Sequence, residues 1–147
     1  PLHYRYDTHS NSVGMFLGMN VLLSDLHAIY PCVTPIPVTA FSMREDEAPE
    51  TTADQLALGP WVHEKTHFLS VKESIVDSCN ERILFVGDSM VGQSLVEWMR
   101  ALGYAVAFID RGASLPERDG IIVTFKPSIV IDERQESRFT TLFTQHE

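Results

Sequence analysis

The most constraining feature of the sequence is an uninterrupted apolar run, Ile83-Leu84-Phe85-Val86, followed at once by Gly87-Asp88-Ser89. A short strand that is apolar on both faces is typical of the centre of a parallel sheet. Residues 90–102 then follow a helical apolar pattern, and Gly103 is well placed as the C-terminal cap of that helix. A second strand-like run covers residues 105–109. Strand, helix and strand in this order predict an α/β fold on a mainly parallel sheet.

The first half of the chain is more irregular. Alternating aromatic residues predict a short strand over 2–7, and a polar turn with good helix caps leads into a helix over 13–29. Three prolines then end regular structure, so we expect an irregular acidic insertion near 31–60. Its most acidic part, residues 44–54, is interpreted as a solvated surface loop.

The remaining segments are assigned by the same patterns. Residues 55–59 are compatible with a short helix, and 61–76 with a strand or a hairpin. Two apolar runs, 121–125 and 128–131, are predicted as strands, and residues 138–143 as a helix.

Length and composition indicate one globular domain over residues 1–147, or the C-terminal portion of one. The chain begins at Pro1 without a methionine, so we expect a processed or excised piece. With 20 acidic against 11 basic residues and no basic stripe, nucleic acid and anionic lipid are not expected partners. No apolar run is long enough to span a membrane. Cys32 and Cys79 either form a disulfide in an oxidising compartment or lie buried as thiols.

Ser89 is the first candidate for chemistry. A serine between a buried strand and a helix is presented at the carboxyl edge of the sheet, beside the free N–H groups of the helix N-terminus. Such a turn suits a nucleophile, because those N–H groups can hold the oxyanion that attack produces. The simpler interpretation is that Asp88 or Ser89 only caps the helix.

Asp7 and His9 are the candidates for activating that serine. Residues i and i+2 at the end of a strand point the same way, so the Asp7 carboxylate can orient the His9 ring while the other ring nitrogen faces Ser89. Alternatively, His9 is an exposed side chain in a turn.

Four short segments, in this order along the chain, carry a resemblance to a known family. They are Leu2 to Gly14 around Asp7-Thr8-His9, Ala53 to Gly59, the Gly87-Asp88-Ser89 turn, and Lys126 to Arg138. Together they resemble the AlgX and AlgJ group of polysaccharide O-acetyltransferases, whose domains are SGNH-hydrolase-like. That group has tryptophan or another large residue where Ser10 stands, and its domain has strands before the Asp/His segment.

The resemblance implies a three-layer α/β/α domain whose mainly parallel sheet is incomplete in this chain. It implies Ser89 as nucleophile, His9 as base and Asp7 as its partner. The Ser89 backbone N–H is the expected oxyanion donor. Gly112 is a second candidate, not from the resemblance but from its position in the loop after the second strand. The activity would be acetyl transfer to an exopolysaccharide such as alginate, in the periplasm or outside the cell, without a cofactor or metal. A membrane-bound protein would supply the acetyl groups. With water as acceptor, the same triad would make a carbohydrate acetyl esterase.

Two weaker motifs compete with this interpretation. His63-Glu64-Lys65-Thr66-His67 would place two zinc ligands and a base on one face if it were helical, but no convincing third ligand follows. Gly87, Gly92 and Asp110 imitate a dinucleotide-binding pattern, but Ser89 replaces its middle glycine and would crowd a pyrophosphate.

A non-catalytic binding module is a further alternative. Residues 83–89, 103–104 and 119–127 are similar to the first three strands of a response-regulator receiver. Thr124 would then occupy the position of the phosphorylated aspartate, which makes the domain a pseudo-receiver. This interpretation leaves residues 1–80 unexplained.

Overall fold

The apolar run at residues 83–86 forms the centre of a parallel sheet. The computed structural model describes residues 11–47, 65–72, 74–75, 79–88 and 95–133. The elements are, in chain order, α1 (Ser12–His27), a 3₁₀ turn (Val38–Ala40), β1 (Phe41–Glu47), β2 (Lys65–Val71), β3 (Arg82–Gly87), α2 (Val96–Ala101), β4 (Ala105–Asp110), α3 (Leu115–Phe125) and β5 (Ile129–Asp132). The predicted α/β class with a parallel sheet is confirmed.

The described strands form two sheets. β3 lies between β4 and β5 and is parallel to both, whereas β1 and β2 form a separate antiparallel pair. Parallel strands need crossover connections, and such connections are almost always right-handed. Because the chain moves from β3 to β4 in one direction and from β4 to β5 in the other, this rule places α2 and α3 on opposite faces of the parallel sheet.

One face of that sheet carries the main hydrophobic core. Alternate residues of β3, Ile83 and Phe85, are at most 1% exposed and face this core. Buried side chains of α1, of the β1–β2 pair and of α2 pack with them. Phe41 connects these elements, because its ring packs edge-to-face against both Phe16 of α1 and Trp98 of α2, with ring centroids 5.3 Å apart in each pair.

Specific hydrogen bonds fix the segment between α1 and β1. The Asn11 side chain accepts from the Gly14 N–H, which confirms the predicted helix cap at the start of α1. Further along, Asn20 Oδ1 accepts from the Ile36 N–H at 2.6 Å. The buried Tyr104 hydroxyl donates to the Thr34 carbonyl and accepts from the Thr34 N–H, each at 3.1 Å. The proline-rich segment is therefore irregular but anchored to the core.

Cys32 and Cys79 form a disulfide, with their Cα atoms 5.2 Å apart. The sequence leaves open a disulfide or two buried thiols, and the structure has the disulfide. The bond links the segment after α1 to the residues just before β3, and both cysteines pack against the core.

Gly103 ends α2 as predicted. Its φ of 103° lies in the left-handed region, and its N–H donates to the Arg100 carbonyl while the Tyr104 N–H donates to the Met99 carbonyl. These two bonds define a Schellman motif, which satisfies carbonyls that the helix end leaves open.

Gly103→Ala is expected to lower the free energy of unfolding by about 1–2 kcal/mol, because a side chain is strained at this positive φ. Urea denaturation would measure the change. Gly18→Ala on α1 is the matched control, since a Cβ there meets nothing within 4 Å. That substitution should be neutral or stabilising by up to about 1 kcal/mol. Equal stability of the two variants would contradict the prediction.

Two segments differ from the sequence-based predictions. Residues 44–47 are not loop but belong to β1, where Glu45 pairs with His67 and Glu47 with Lys65. Strand β1 therefore also interrupts the irregular insertion expected near 31–60. Residues 121–125 are not a strand but the second half of α3. The predicted segments 2–7, 55–59 and 138–143 lie outside the described residues.

Among the described helices, none has both the length and the apolar character needed to cross a membrane.

Candidate active site

The candidate site lies where the parallel strands end at their carboxyl edge. Here the chain leaves β3 in one direction and, after β4, returns past it to β5. In open α/β sheets, ligands bind in the crevice outside the carboxyl ends of the strands, at the point where the strand order reverses. In the described sheet this point is between Asp88, which follows β3, and Glu133, which follows β5. Ser89 is the next residue in the chain after Asp88.

Both neighbouring strands hold the end of β3 through its backbone. The Gly87 carbonyl accepts from the Arg111 N–H at 2.7 Å, and the Val86 carbonyl accepts from the Glu133 N–H at 2.9 Å. The buried apolar residues of β3 fix the same strand by packing in the core. Hydrogen bonds from both sides therefore hold the backbone of β3 as far as Gly87, the residue before Asp88.

An ion pair spans the same edge. Arg111 Nη2 lies 2.9 Å from Asp132 Oδ1, so a side chain that follows β4 reaches the end of β5. Arg118 of α3 supports the loop after β4, because its guanidinium donates to the backbone carbonyls of Arg111 and Ala113. Sequence patterns did not single out this pair, since the two residues are 21 positions apart. Their one sequence signal is that each is charged and stands at the end of an apolar strand.

The edge is rich in carboxylates. Asp88, Asp110, Asp132 and Glu133 all stand at the ends of the strands. One oxygen of Glu133, Oε2, is buried and makes no hydrogen bond with the described part of the chain. The local charge therefore favours a neutral or hydroxyl-bearing ligand over an anion.

Gly112, the second expected oxyanion donor, is already engaged. Its N–H donates to Asp110 Oδ1 at 2.6 Å, and a Cβ at this position would lie 3.0 Å from the same oxygen. In this conformation the Gly112 N–H is not free to hold an oxyanion. The same bond engages one oxygen of Asp110, the carboxylate that the dinucleotide interpretation requires for a ribose hydroxyl.

The three triad residues, Asp7, His9 and Ser89, lie outside the described residues, as does Gly92. Their convergence therefore stays a prediction. The structure describes the framework next to Ser89 and leaves the His9–Ser89 distance open to measurement.

The zinc interpretation needs a helical turn through residues 63–67. Lys65, Thr66 and His67 instead belong to the extended strand β2, and His67 is exposed opposite Glu45. His63 and Glu64 lie outside the described residues. Within the described ranges, no group of three or more His, Cys, Asp or Glu side chains is placed to hold a metal ion.

The pseudo-receiver interpretation needs a strand that ends near Thr124. The structure places Thr124 in α3, so the position proposed for the phosphorylated aspartate is on a helix. The proposed correspondence over residues 119–127 is therefore wrong.

A shallow surface groove of about 630 Å³ runs along α3. Its lining is mainly apolar and consists of Ala113, Pro116, Glu117, Gly120, Ile121, Thr124 and Phe125. Hydrogen bonds from the hydroxyl and the backbone N–H of Ser114 lower the pKa of Glu117 and tie its carboxylate to the start of the helix. Glu117 is thus engaged within the chain, and the carboxyl edge remains the better candidate for chemistry.

Comparisons with protein-family models, with curated proteins and with solved structures find no match to this chain.

Proposed function

We propose that the protein is an SGNH-hydrolase-like O-acetyltransferase that moves acetyl groups onto hydroxyls of an exopolysaccharide through an acetyl-Ser89 intermediate. The observation that carries the proposal is where β3 ends. Gly87 and Asp88 lie at the point where the strand order of the parallel sheet reverses, and Ser89 follows them directly in the chain. The order of the Asp7-His9 and Gly-Asp-Ser segments, as in the AlgX and AlgJ group, supports it further.

In the proposed reaction, His9 removes the hydroxyl proton of Ser89 as the oxygen attacks the acetyl carbonyl of the donor. Asp7 orients the ring and stabilises the imidazolium that forms. The donor's leaving group departs with the proton from His9, and the acetyl group stays on Ser89. A sugar hydroxyl then gives its proton to His9 and attacks the acetyl carbonyl, and Ser89 recovers its proton as the ester leaves.

The oxyanion of each tetrahedral intermediate needs hydrogen-bond donors. The Ser89 N–H is the proposed donor. Gly112 can contribute only if the Asp110 carboxylate first releases its N–H. We therefore assign the main role to Ser89.

The disulfide supports an exported location, in the periplasm or outside the cell. Disulfides persist in oxidising compartments and are rare in the cytosol, where thiols are kept reduced. A membrane-bound partner would supply acetyl groups in such a compartment.

Transferase and esterase activity differ in the acceptor, so an acceptor experiment tests the proposal. With p-nitrophenyl acetate as donor, adding an acetyl-free exopolysaccharide that carries no carboxylates should yield O-acetylated glycan, detected by mass spectrometry. Free acetate should fall by an equivalent amount. Unchanged acetate release and an unmodified glycan would favour the esterase alternative. No release of p-nitrophenol, with or without the glycan, would contradict both the transferase and the esterase activity.

A further inference from the structure

We propose that Arg111 and Asp132 are positioning residues that hold the end of β3 in the geometry required for chemistry at Ser89. This inference rests on the proposed function. It concerns residues for which neither the motif pattern nor the resemblance suggests a role in the reaction.

The geometry starts from the two strands that flank β3. Val86 pairs with Ile109 on one side and with Asp132 on the other, so the last residues of β4 and β5 are level with the end of β3. The guanidinium of Arg111 then forms an ion pair with the Asp132 carboxylate, with Nη2 and Oδ1 2.9 Å apart. The flanking strands are thereby tied to each other at the end from which Asp88-Ser89 emerges.

Arg111 also acts on β3 itself. Its backbone N–H donates to the Gly87 carbonyl, and its own carbonyl accepts from the Arg118 side chain. One residue therefore connects β3, β5 and α3. A change in its side-chain bond to Asp132 is transmitted to the backbone that directly precedes Ser89.

An alternative role for Arg111 is to bind an anionic substrate group, and the surroundings argue against it. Its charge is already paired with Asp132, and three further carboxylates stand at the same edge. Its side chain is 26% exposed, which leaves limited access for a ligand. A positioning role fits both observations.

The consequence for catalysis is specific. A misplacement of about 1 Å at the reacting group can reduce a rate about a hundredfold without unfolding the protein. Loss of the Arg111–Asp132 pair should therefore lower kcat more than it changes KM for a small activated ester.

The test uses the full chain with p-nitrophenyl acetate and compares Arg111→Ala, Arg111→Lys, Asp132→Asn and the Arg111→Ala/Asp132→Asn double variant. We expect each alanine or asparagine variant to lose about tenfold to a hundredfold in kcat, with KM within about twofold. The double variant should be no worse than the more affected single variant, because the two residues act as a unit. Arg111→Lys should recover part of the rate, since it keeps the charge.

Arg44→Ala is the matched control, because Arg44 also pairs with an aspartate, Asp46 at 3.3 Å, but on the exposed strand β1. It should keep the wild-type kcat. Melting curves establish that every variant is folded at the assay temperature. Wild-type kcat in folded Arg111→Ala, or losses that simply follow the unfolded fraction, would overturn the inference.

Ser89→Ala separates this inference from the proposed function. If Ser89→Ala is inactive while Arg111→Ala is fully active, only the positioning role fails. If Ser89→Ala keeps its turnover, the proposed function fails, and the positioning role fails with it. A wild-type chain that neither hydrolyses the ester nor reacts with a phosphonofluoridate at Ser89 overturns both.

Discussion

Replacing Ser89 with alanine is expected to lower kcat for release of p-nitrophenol from p-nitrophenyl acetate by about a thousandfold or more. The physical reason is that the hydroxyl oxygen forms the acyl-enzyme bond, and alanine has no atom that can replace it. Stopped-flow absorbance at 400 nm, on the order of one reading per millisecond, would also test for the burst that an acyl-enzyme produces.

Ser24→Ala is a suitable control, because it removes the same hydroxyl from an exposed position on α1, where the group only donates to the Asn20 carbonyl. It should leave the rate unchanged. Asp7→Asn should keep a small residual activity, since the oxyanion donors remain while the orientation of His9 is lost. Undiminished turnover by folded Ser89→Ala would remove the proposed mechanism.

Removing the disulfide is expected to have the largest effect on stability. The Cys32→Ser/Cys79→Ser double variant should lose about 4 kcal/mol of unfolding free energy, as loop-closure entropy predicts for cysteines 47 positions apart. That is a large share of the total for a domain of this size, which is about 5–15 kcal/mol. Urea denaturation at fixed protein concentration measures the difference.

The effect of a reductant on the stability of the two chains is the control for this prediction. Dithiothreitol should destabilise the wild-type chain by a similar amount and leave the double variant unaffected. Alkylation followed by mass spectrometry should find both wild-type cysteines blocked until reductant is added. Free thiols in the oxidised wild-type protein, or equal stability of the two chains, would contradict it.

The parts of the fold that the sequence predicted well are those specified by local patterns. The apolar run of β3, the cap at Asn11 and the stop at Gly103 each depend on neighbouring residues. Burial on both faces, an N-terminal hydrogen-bond acceptor and a positive φ are requirements that few residue types meet. These elements were therefore recognisable without tertiary information.

The error in α3 shows what local patterns miss. Residues 121–125 are rich in β-branched side chains, which on their own predict a strand. The deciding signals lie at the ends of the segment. Ser114 and Glu117 form a capping box, Pro116 lies in the first turn, and Lys126 adopts a left-handed conformation at the C-cap. These signals at the ends of the segment, rather than its β-branched middle, indicate the helix.

The error in β1 has a different cause. Charged residues 44–47 have low strand propensity, but pairing with β2 supplies backbone hydrogen-bond partners, and Arg44 lies over the Phe68 ring. This stabilisation comes from strand partners that are 18 to 24 positions away, as the pairs Glu47–Lys65 and Arg44–Phe68 show, and a local pattern does not contain it. The Arg111–Asp132 pair was missed for the same reason, because only the strand order brings the two residues together.

The two helices that connect the parallel strands, α2 and α3, should differ greatly in how many amino-acid substitutions they tolerate. Half of α2 is buried, whereas α3 contains no buried residue and leaves Leu115 and Val123 about 70% exposed. Substitutions at such surface positions usually change stability by no more than about 0.5 kcal/mol. In a deep mutational scan, α2 would accept few replacements, whereas α3 would accept most of them except at Glu117 and Arg118, which bond to the start of the helix and to the loop after β4. Over evolutionary time the α3 surface is free to diverge while the edge of the sheet stays in place.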